Sequence, residues 1–152
     1  NLYPLQSIDE IVANAKKYPA RLVVITGGEP TLYNLDELTR KLKKENFSIN
    51  IETSGSSPLT VKIDWICLSP KKFKPPLPEI LLKANELKII VFNKSDFLWA
   101  EKYAAKVSSS CKLYLQPEWS NSEKVTPWII DYIKENPKWQ LSLQIHKYIN
   151  VP

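Results

Sequence analysis

The stretch from Arg21 to Leu38 reads RLVVITGGEPTLYNLDEL, and it decides the fold of the chain. It opens with a continuous run rich in β-branched residues, which predicts a strand covered on both faces. Gly27 and Gly28, two of only three glycines in the chain, follow this run directly. A helix signature then begins at Asn34, a residue type that favours helix N-caps. Strand, tight turn and helix in this order predict a βα unit.

The same alternation continues along the chain. Apolar periodicity predicts helices over residues 7–18, 34–46, 77–84, 95–107 and 122–136, and strands over residues 21–26, 47–53, 63–69, 86–92, 111–117 and 139–145. Ser7 and Glu10 are spaced as a capping box, and Ser95 is the predicted cap of the fourth helix. Strands interleaved with helices predict parallel pairing through right-handed crossovers, and hence an α/β fold in a single domain, residues 1–152.

Composition limits the classes of protein that fit. The 152 residues carry a net charge of +5, spread over several lysine-rich segments, which suits small anionic ligands or RNA. No run of about 18 apolar residues is present, so we expect no membrane-spanning helix. Cys67 and Cys111 have neither metal-site nor disulfide spacing, and we expect Cys67 to be a buried thiol in a reducing, cytoplasmic setting. Because the sequence starts at Asn1 and contains no methionine, we expect it to be part of a longer gene product.

Small, polar or charged residues follow most of the predicted strands. They form the segments 26–30, 52–55, 69–72, 116–119 and 144–148. Ligands of parallel α/β folds bind where the carboxyl ends of the strands meet, so these segments are predicted to surround one cavity. The fourth strand differs because it contains Lys88, whose charge we expect to point inward, with no partner identifiable from the sequence.

The two adjacent glycines suggest a ligand that approaches the backbone closely. Glycine lacks a Cβ and adopts positive φ readily, so Gly27 and Gly28 can expose bare N–H and C=O groups. The carboxylate of Glu29 would suit a cation such as an ammonium group. A phosphate site is less apt, because neither a Walker loop nor a dinucleotide-binding glycine motif is present. An ordinary strand-to-helix turn is an equally open alternative at this point.

The residues from Thr26 to Pro30 resemble the GGEP motif of radical S-adenosylmethionine (SAM) enzymes. The segments IETSG, LSPK, ELKIIVF, LYLQPEW and LSLQIHKYINVP narrow the likeness. Taken together, essentially the whole chain resembles the 7-carboxy-7-deazaguanine synthase family of the queuosine pathway. The resemblance implies an incomplete parallel (β/α)6-type barrel, that is, a partial TIM-like radical SAM core. It also implies a lyase that uses SAM, a 4Fe–4S cluster and Mg²⁺ to convert 6-carboxy-5,6,7,8-tetrahydropterin to 7-carboxy-7-deazaguanine with loss of ammonia.

The resemblance also assigns residues to the site. By position, the expected SAM contacts are Gly28, Glu29, Glu52, Ser54, Ser69, Pro70, Lys71, Gln116, Pro117, Glu118 and Trp119. Gly28 and Glu29 would hold the methionyl end, and Lys71 would pair with its carboxylate. The expected substrate contacts are Thr26, His146 and the carboxylate of Pro152. From the residues alone, His146 could equally be a satisfied structural histidine.

The chain departs from the family pattern in one respect. The three-cysteine cluster loop and the adjacent Mg²⁺ ligand have no counterpart, since no Cys-x-x-Cys occurs. We therefore expect a core that lacks the first, cluster-bearing strand and is inactive without it. Two alternatives stay open: another radical SAM enzyme, such as an activase or tRNA-modifying member, or a non-catalytic basic RNA-binding module. The expected partners of the enzyme are the pterin, an electron donor such as flavodoxin and a second copy in a tryptophan-rich homodimer, with neither nucleic acid nor membrane.

Overall fold

A six-stranded parallel β-sheet with helices between its strands forms the protein. The computed structural model describes residues 5–151. The strands are β1 (Leu22–Ile25), β2 (Ser48–Thr53), β3 (Trp65–Leu68), β4 (Glu86–Val91), β5 (Lys112–Pro117) and β6 (Trp139–Leu141). The helices are α1 (Ile8–Lys16), α2 (Asp36–Lys44), α3 (Pro78–Lys83), α4 (Ser95–Ala104), α5 (Ser122–Glu135) and α6 (Ile145–Tyr148), with short 3₁₀ turns at Pro30–Leu32 and Trp119–Asn121.

The strands pair in their order along the chain, β1 to β6, and every pair is parallel. This confirms the predicted α/β class. With right-handed crossovers, sequential order puts the connecting helices on one face of the sheet. The carboxyl ends of all six strands consequently lie at one edge of the sheet, where the segments predicted to bind a ligand begin.

The two faces of the sheet differ in chemistry. On β4, Leu87, Ile89 and Val91 are fully buried in the main core, whereas the alternate residues of the strand are only half-buried. The strand registers put mostly polar side chains on the second face, which we call the polar face: Asn50, Glu52, Trp65, Cys67, Glu86, Lys88, Ile90, Lys112, Tyr114 and Gln116. The fold therefore buries aliphatic side chains against its helices and keeps ionisable groups opposite them.

The prediction that β1 is covered on both faces is wrong. Leu22 and Val24 are 51% and 54% exposed, and the strand alternates between exposed and half-buried positions. Within the described residues β1 pairs only with β2, so it is an edge strand. Val24 lies beside Asn50 in the register and so faces the polar side, where no helix covers it.

Local signals set the helix starts, with two small corrections. The capping box at Ser7 and Glu10 is confirmed, with the Ser7 N–H 2.7 Å from a Glu10 carboxylate oxygen. The second helix begins later than predicted, at Asp36, and the fourth begins at Ser95, the residue that was predicted to be its cap. In each case an asparagine two residues earlier accepts the N–H of the first helical residue, Asn34 at 2.9 Å and Asn93 at 3.0 Å. Such Asx turns satisfy the amide from outside the helix.

The last strand is also shorter than predicted, since it ends at Leu141 rather than residue 145. Leu115 lies beside Leu141 in the register, so Pro117 would lie beside residue 143. Proline has no N–H to donate, and the ladder cannot continue there. The chain instead turns into the unpredicted helix α6, which contains His146.

Among the described helices, none is long and apolar enough to cross a membrane.

Gly55 connects the end of β2 to the core. Its φ is +72°, and a Cβ there would lie 2.5 Å from Leu68 Cδ1 and 3.0 Å from Pro76 Cβ. Its carbonyl accepts the Leu77 N–H at 2.8 Å, just before α3. Both the backbone conformation and the available space thus require glycine at this position.

We expect Gly55→Ala to lower the free energy of unfolding by about 2–4 kcal/mol, through left-handed backbone strain and overpacking. Gly28→Ala is the matched control, because a Cβ at Gly28 would meet no atom within 4 Å. The control should change stability by no more than about 0.5 kcal/mol. Urea unfolding of the two variants measures both effects, and equal losses would contradict the packing described at Gly55.

Candidate functional site

The ends of β1, β2 and β3 open onto one small cavity of about 40 Å³. Its lining comprises Thr26, Gly27, Gly28, Glu52, Thr53, Ser54, Ser69 and Lys71. Six of these residues are predicted site residues. The structure therefore brings together the segments that follow three consecutive strands, as expected for a parallel sheet.

The segments after β5 and β6 line different cavities, so the prediction of a single cavity is wrong. Trp119 borders one cavity of about 590 Å³ with Tyr148 and the start of α5, and another of about 460 Å³ with His146 and Lys147. The end of β4 lies between these two strands and β3 in the sheet. The predicted site is thus divided into a β1–β3 part and a β5–β6 part.

Glu29 ties the turn after β1 to the end of β2. Its Oε1 accepts the Thr31 N–H at 3.2 Å, the Thr31 hydroxyl at 2.7 Å and the Thr53 hydroxyl at 2.6 Å. Its Oε2 accepts the Ser54 N–H at 2.8 Å and also the Ser54 hydroxyl. We call this arrangement the Glu29 clamp. Sequence reasoning missed Thr31 and Thr53, although hydroxyl residues near a carboxylate that is predicted to line the site were a usable signal.

The clamp keeps Glu29 ionised. Burial raises the pKa of this carboxyl, but hydrogen bonds from Ser54, Thr53 and Thr31 outweigh that effect and lower the pKa to about 2. A carboxylate has about four lone-pair positions. With five donors already bound, Glu29 has little remaining capacity to bind a ligand ammonium directly.

The backbone beside the clamp is uncovered. Gly27 has a φ of +139°, and a Cβ at either Gly27 or Gly28 would meet nothing within 4 Å. This agrees with the predicted bare backbone and leaves room for a ligand against Gly28. The left-handed conformation occurs at Gly27 and not at Gly28.

The segment after β3 closes the other side of the cavity. Ser69 and Pro70 are buried, and the Ser69 N–H donates to the Thr53 carbonyl at 2.8 Å. The ammonium of Lys71 lies 3.4 Å from the Ser69 hydroxyl, within the cavity lining. The ammonium of Lys71 therefore lies where the resemblance expects the carboxylate of SAM to bind.

Lys88 has a defined partner, which the sequence left open. Its ammonium lies 2.6 Å from Glu52 Oε1, and its side chain is only 12% exposed. Glu52, an expected SAM contact, is 36% exposed and lines the cavity. The charge on β4 therefore reaches the end of β2 across the polar face.

The β5–β6 part has an aromatic centre. Trp119 meets Tyr148 edge-to-face at 5.1 Å between ring centroids, and the Lys147 ammonium lies 4.9 Å from the centre of the Trp119 ring. Gln116 is buried and accepts the Ser142 hydroxyl at 3.3 Å. Hydrogen bonds from Ser120 lower the pKa of the half-buried Glu118. Pro117 ends β5.

His146 is exposed on α6, and no group in the described chain hydrogen-bonds to its ring. It is therefore not a buried structural histidine. Pro152, the other expected substrate contact, lies outside the described residues.

Within residues 5–151, no three His, Cys, Asp or Glu side chains are arranged to hold a metal ion. Cys67 and Cys111 are free and buried, which confirms the expectation for Cys67. Burial raises the pKa of Cys67 well above its usual range and that of Cys111 to about 11. Both cysteines are therefore thiols rather than thiolates at neutral pH in this structure.

Comparison with known proteins gives relatives of one kind. No family model matches the chain. The 7-carboxy-7-deazaguanine synthase of Flavobacterium psychrophilum is 52% identical over 151 residues, which cover 99% of this chain and 71% of the relative. The Synechocystis synthase is 45% identical over 98% of this chain and 71% of its own length. The crystal structure of QueE from Escherichia coli superposes with a TM-score of 0.74 and 32% identity, covering 91% of this chain and 64% of that chain.

The Glu29 clamp should stabilise the fold above pH 4.5 and lose its effect as the pH falls toward 2. The ordinary pKa of glutamate is 4.5, so on acidification the unfolded chain takes up this proton first. Because Glu29 is only half-buried, solvent screening reduces the effect to about 1–2 kcal/mol. Between pH 4.5 and 2, the wild type should therefore lose about 1–2 kcal/mol more unfolding free energy than Glu29→Gln loses.

Urea unfolding at a series of pH values measures this difference. Glu135→Gln, a substitution at an exposed position at the end of α5, is the control and should follow the wild type. Parallel pH profiles of the wild type and Glu29→Gln would contradict the clamp.

Proposed function

The chain belongs to the 7-carboxy-7-deazaguanine synthase family, and on that premise we propose that it binds SAM and 6-carboxy-5,6,7,8-tetrahydropterin and takes part in forming 7-carboxy-7-deazaguanine with loss of ammonia. The observation that carries this proposal is the bare Gly27–Gly28 backbone, which faces a cavity lined by the ends of three neighbouring strands. The 52% identity to a synthase over 99% of the chain supports the choice of reaction.

The β1–β3 part of the site suits the methionyl half of SAM. We propose that the backbone at Gly28 receives the ammonium group and that Lys71 pairs with the carboxylate, beside the buried Ser69 and Pro70. Glu29 is already saturated with hydrogen bonds, so its contribution is to fix the shape of the turn. The side chains at this end thus bind and orient one half of the ligand.

The ribose and adenine would extend toward the second part of the site. Glu52 and Ser54 are the proposed ribose contacts, since both line the cavity at the end of β2. The segment from Gln116 to Trp119 borders the adenosyl group, with Trp119 offering an aromatic surface. This arrangement would orient the nucleoside along the carboxyl edge of the sheet.

The substrate would lie against the remaining predicted contacts. Thr26 is in the cavity lining, and His146 is exposed beside Trp119. We propose that both contact the pterin, together with the terminal carboxylate of Pro152, which would accept hydrogen bonds from the N–H edge of the heterocycle. Charge-assisted bonds of this kind are worth about 1.5–3 kcal/mol each.

The cofactors fit the described residues unequally. SAM, when bound and reductively cleaved, supplies the 5′-deoxyadenosyl radical of this enzyme class. The residues that line the cavity at the ends of β1, β2 and β3 suit its methionyl half. The described residues do not fit a 4Fe–4S cluster or Mg²⁺, because both cysteines are buried and no three metal-binding side chains meet within residues 5–151.

The sheet would be most of a partial (β/α)6 barrel, with the cluster-bearing strand of the family pairing with the edge of β1, where Leu22 and Val24 are half exposed. The protein would act in the cytoplasm as a homodimer, without nucleic acid, and receive electrons from a donor such as flavodoxin.

The experiment that tests the function is anaerobic reconstitution of the complete gene product with iron and sulfide. The protein is incubated with SAM, Mg²⁺, a reductant and the carboxytetrahydropterin, and products are identified by mass. We expect 7-carboxy-7-deazaguanine together with 5′-deoxyadenosine. Cleavage of SAM without the deazaguanine acid would favour a different radical SAM enzyme, and RNA binding with steep salt dependence and no SAM cleavage would favour the binding module.

We expect Lys71→Met to weaken binding of S-adenosylhomocysteine by about 10–100-fold, since it removes one charge-assisted contact to the ligand carboxylate. Isothermal titration calorimetry measures the dissociation constants. Lys74→Met is the control, because Lys74 is exposed on the same turn and lies outside the cavity lining. The control should stay within about twofold of the wild type, and equal affinities of the two variants would contradict the assignment.

A further inference from the structure

We propose that Lys88 is a positioning residue, which holds Glu52 so that its carboxylate can accept both hydroxyl groups of a cis-diol, namely the ribose of a nucleoside ligand. This inference rests on the proposed function, which puts the nucleoside beside Glu52. It adds a residue on β4 that lies outside both parts of the site and acts only through Glu52.

The strand registers show how Lys88 reaches its partner. Glu52 on β2, Cys67 on β3 and Glu86 on β4 lie side by side across the polar face. Lys88 is two residues further along β4, so its side chain extends over β3 to reach Glu52. The contact of 2.6 Å therefore joins two strands that do not pair with each other.

The nearer carboxylate is occupied by other donors. Glu86 accepts the indole N–H of Trp65 at 3.2 Å and the thiol of Cys67 at 3.3 Å. Glu52, in contrast, receives no hydrogen bond from any hydroxyl or amide of residues 5–151. Within these residues, its ionic partner is Lys88. The local network thus directs Lys88 to Glu52.

Because the side chain of Lys88 is only slightly exposed, its ammonium requires the charge of Glu52. The Lys88 side chain is 12% exposed, and an ammonium at that depth is costly without a compensating charge. Glu52 is 36% exposed, so one end of its carboxylate contacts Lys88 while the rest faces the cavity. A carboxylate held in this way is limited to a narrow set of rotamers and keeps acceptor positions for a ligand.

Of the two carboxylates at this end of the sheet, Glu52 is the one with acceptor positions left for ligand hydroxyl groups, because five donors already occupy Glu29. The Ser54 hydroxyl already donates to the Glu29 clamp, and the Thr53 hydroxyl does the same. Acidic side chains at the end of a parallel strand bind ribose hydroxyls in other α/β folds. The chemistry at Glu52 therefore fits a cis-diol, and its orientation depends on Lys88.

The test compares binding of S-adenosylhomocysteine and its 2′-deoxyadenosyl analogue to the complete protein by calorimetry. We expect Lys88→Met to weaken binding of the ribose ligand by about tenfold and of the deoxy ligand by less than about twofold. Lys88→Arg should restore much of the discrimination, because it keeps a cation near Glu52. Lys112→Met, an exposed substitution on the same face, should leave both affinities unchanged.

A double-mutant cycle separates positioning from general stability. In a Glu52→Gln background, which should itself lose the preference for the ribose ligand, adding Lys88→Met is expected to change neither affinity further. Glu52→Gln also keeps the test decisive if Lys88→Met does not fold. Equal weakening of both ligands by Lys88→Met, additive effects in the cycle, or a Glu52→Gln variant that keeps the preference would overturn the inference while the proposed function stands. A wild type that binds neither ligand would overturn both.

Discussion

The hydrogen-bonded carboxylate of Glu29 is the interaction on which the candidate site depends. The turn at Gly27 and Gly28 has no side chains to pack, so its position must be set by its neighbours. Glu29 supplies that constraint, because donors from the following 3₁₀ turn and from the end of β2 converge on its two oxygens. A backbone surface that is open to a ligand is thereby combined with a rigid attachment to the sheet.

The sheet imposes a second constraint, through the difference between its faces. Sequential parallel order covers one face with helices and leaves the other to polar and ionisable side chains. Charges on that face must be compensated within it, as the pair of Lys88 with Glu52 and the donors to Glu86 show. The polar face therefore presents a network of fixed charges close to the candidate site, and the network can affect the site without touching a ligand.

Sequence periodicity was sufficient to predict the parallel α/β class and, for the first five strands, the residues that follow each strand. It failed where an interaction depended on distant partners or on competing local donors. Asn34 and Asn93 shifted two helix starts by accepting an amide from outside the helix, and Pro117 ended the last ladder through a register that the sequence does not reveal. The partner of Lys88 was not predictable for the same reason, since it lies two strands away. The division of the site into two parts likewise depends on the position of β4 in the sheet.

That division has a thermodynamic consequence for any molecule that contacts both parts. A ligand reaching from Lys71 to Trp119 has to pass the end of β4, so its two halves are held by separate groups of residues. Binding of one half then confers a high effective concentration on the other, and the affinity of the joined molecule exceeds what its free halves achieve. Methionine and adenosine supplied as separate molecules would accordingly be poor competitors of the intact sulfonium compound. The chain would thus discriminate by the length and connectivity of a ligand as well as by its functional groups.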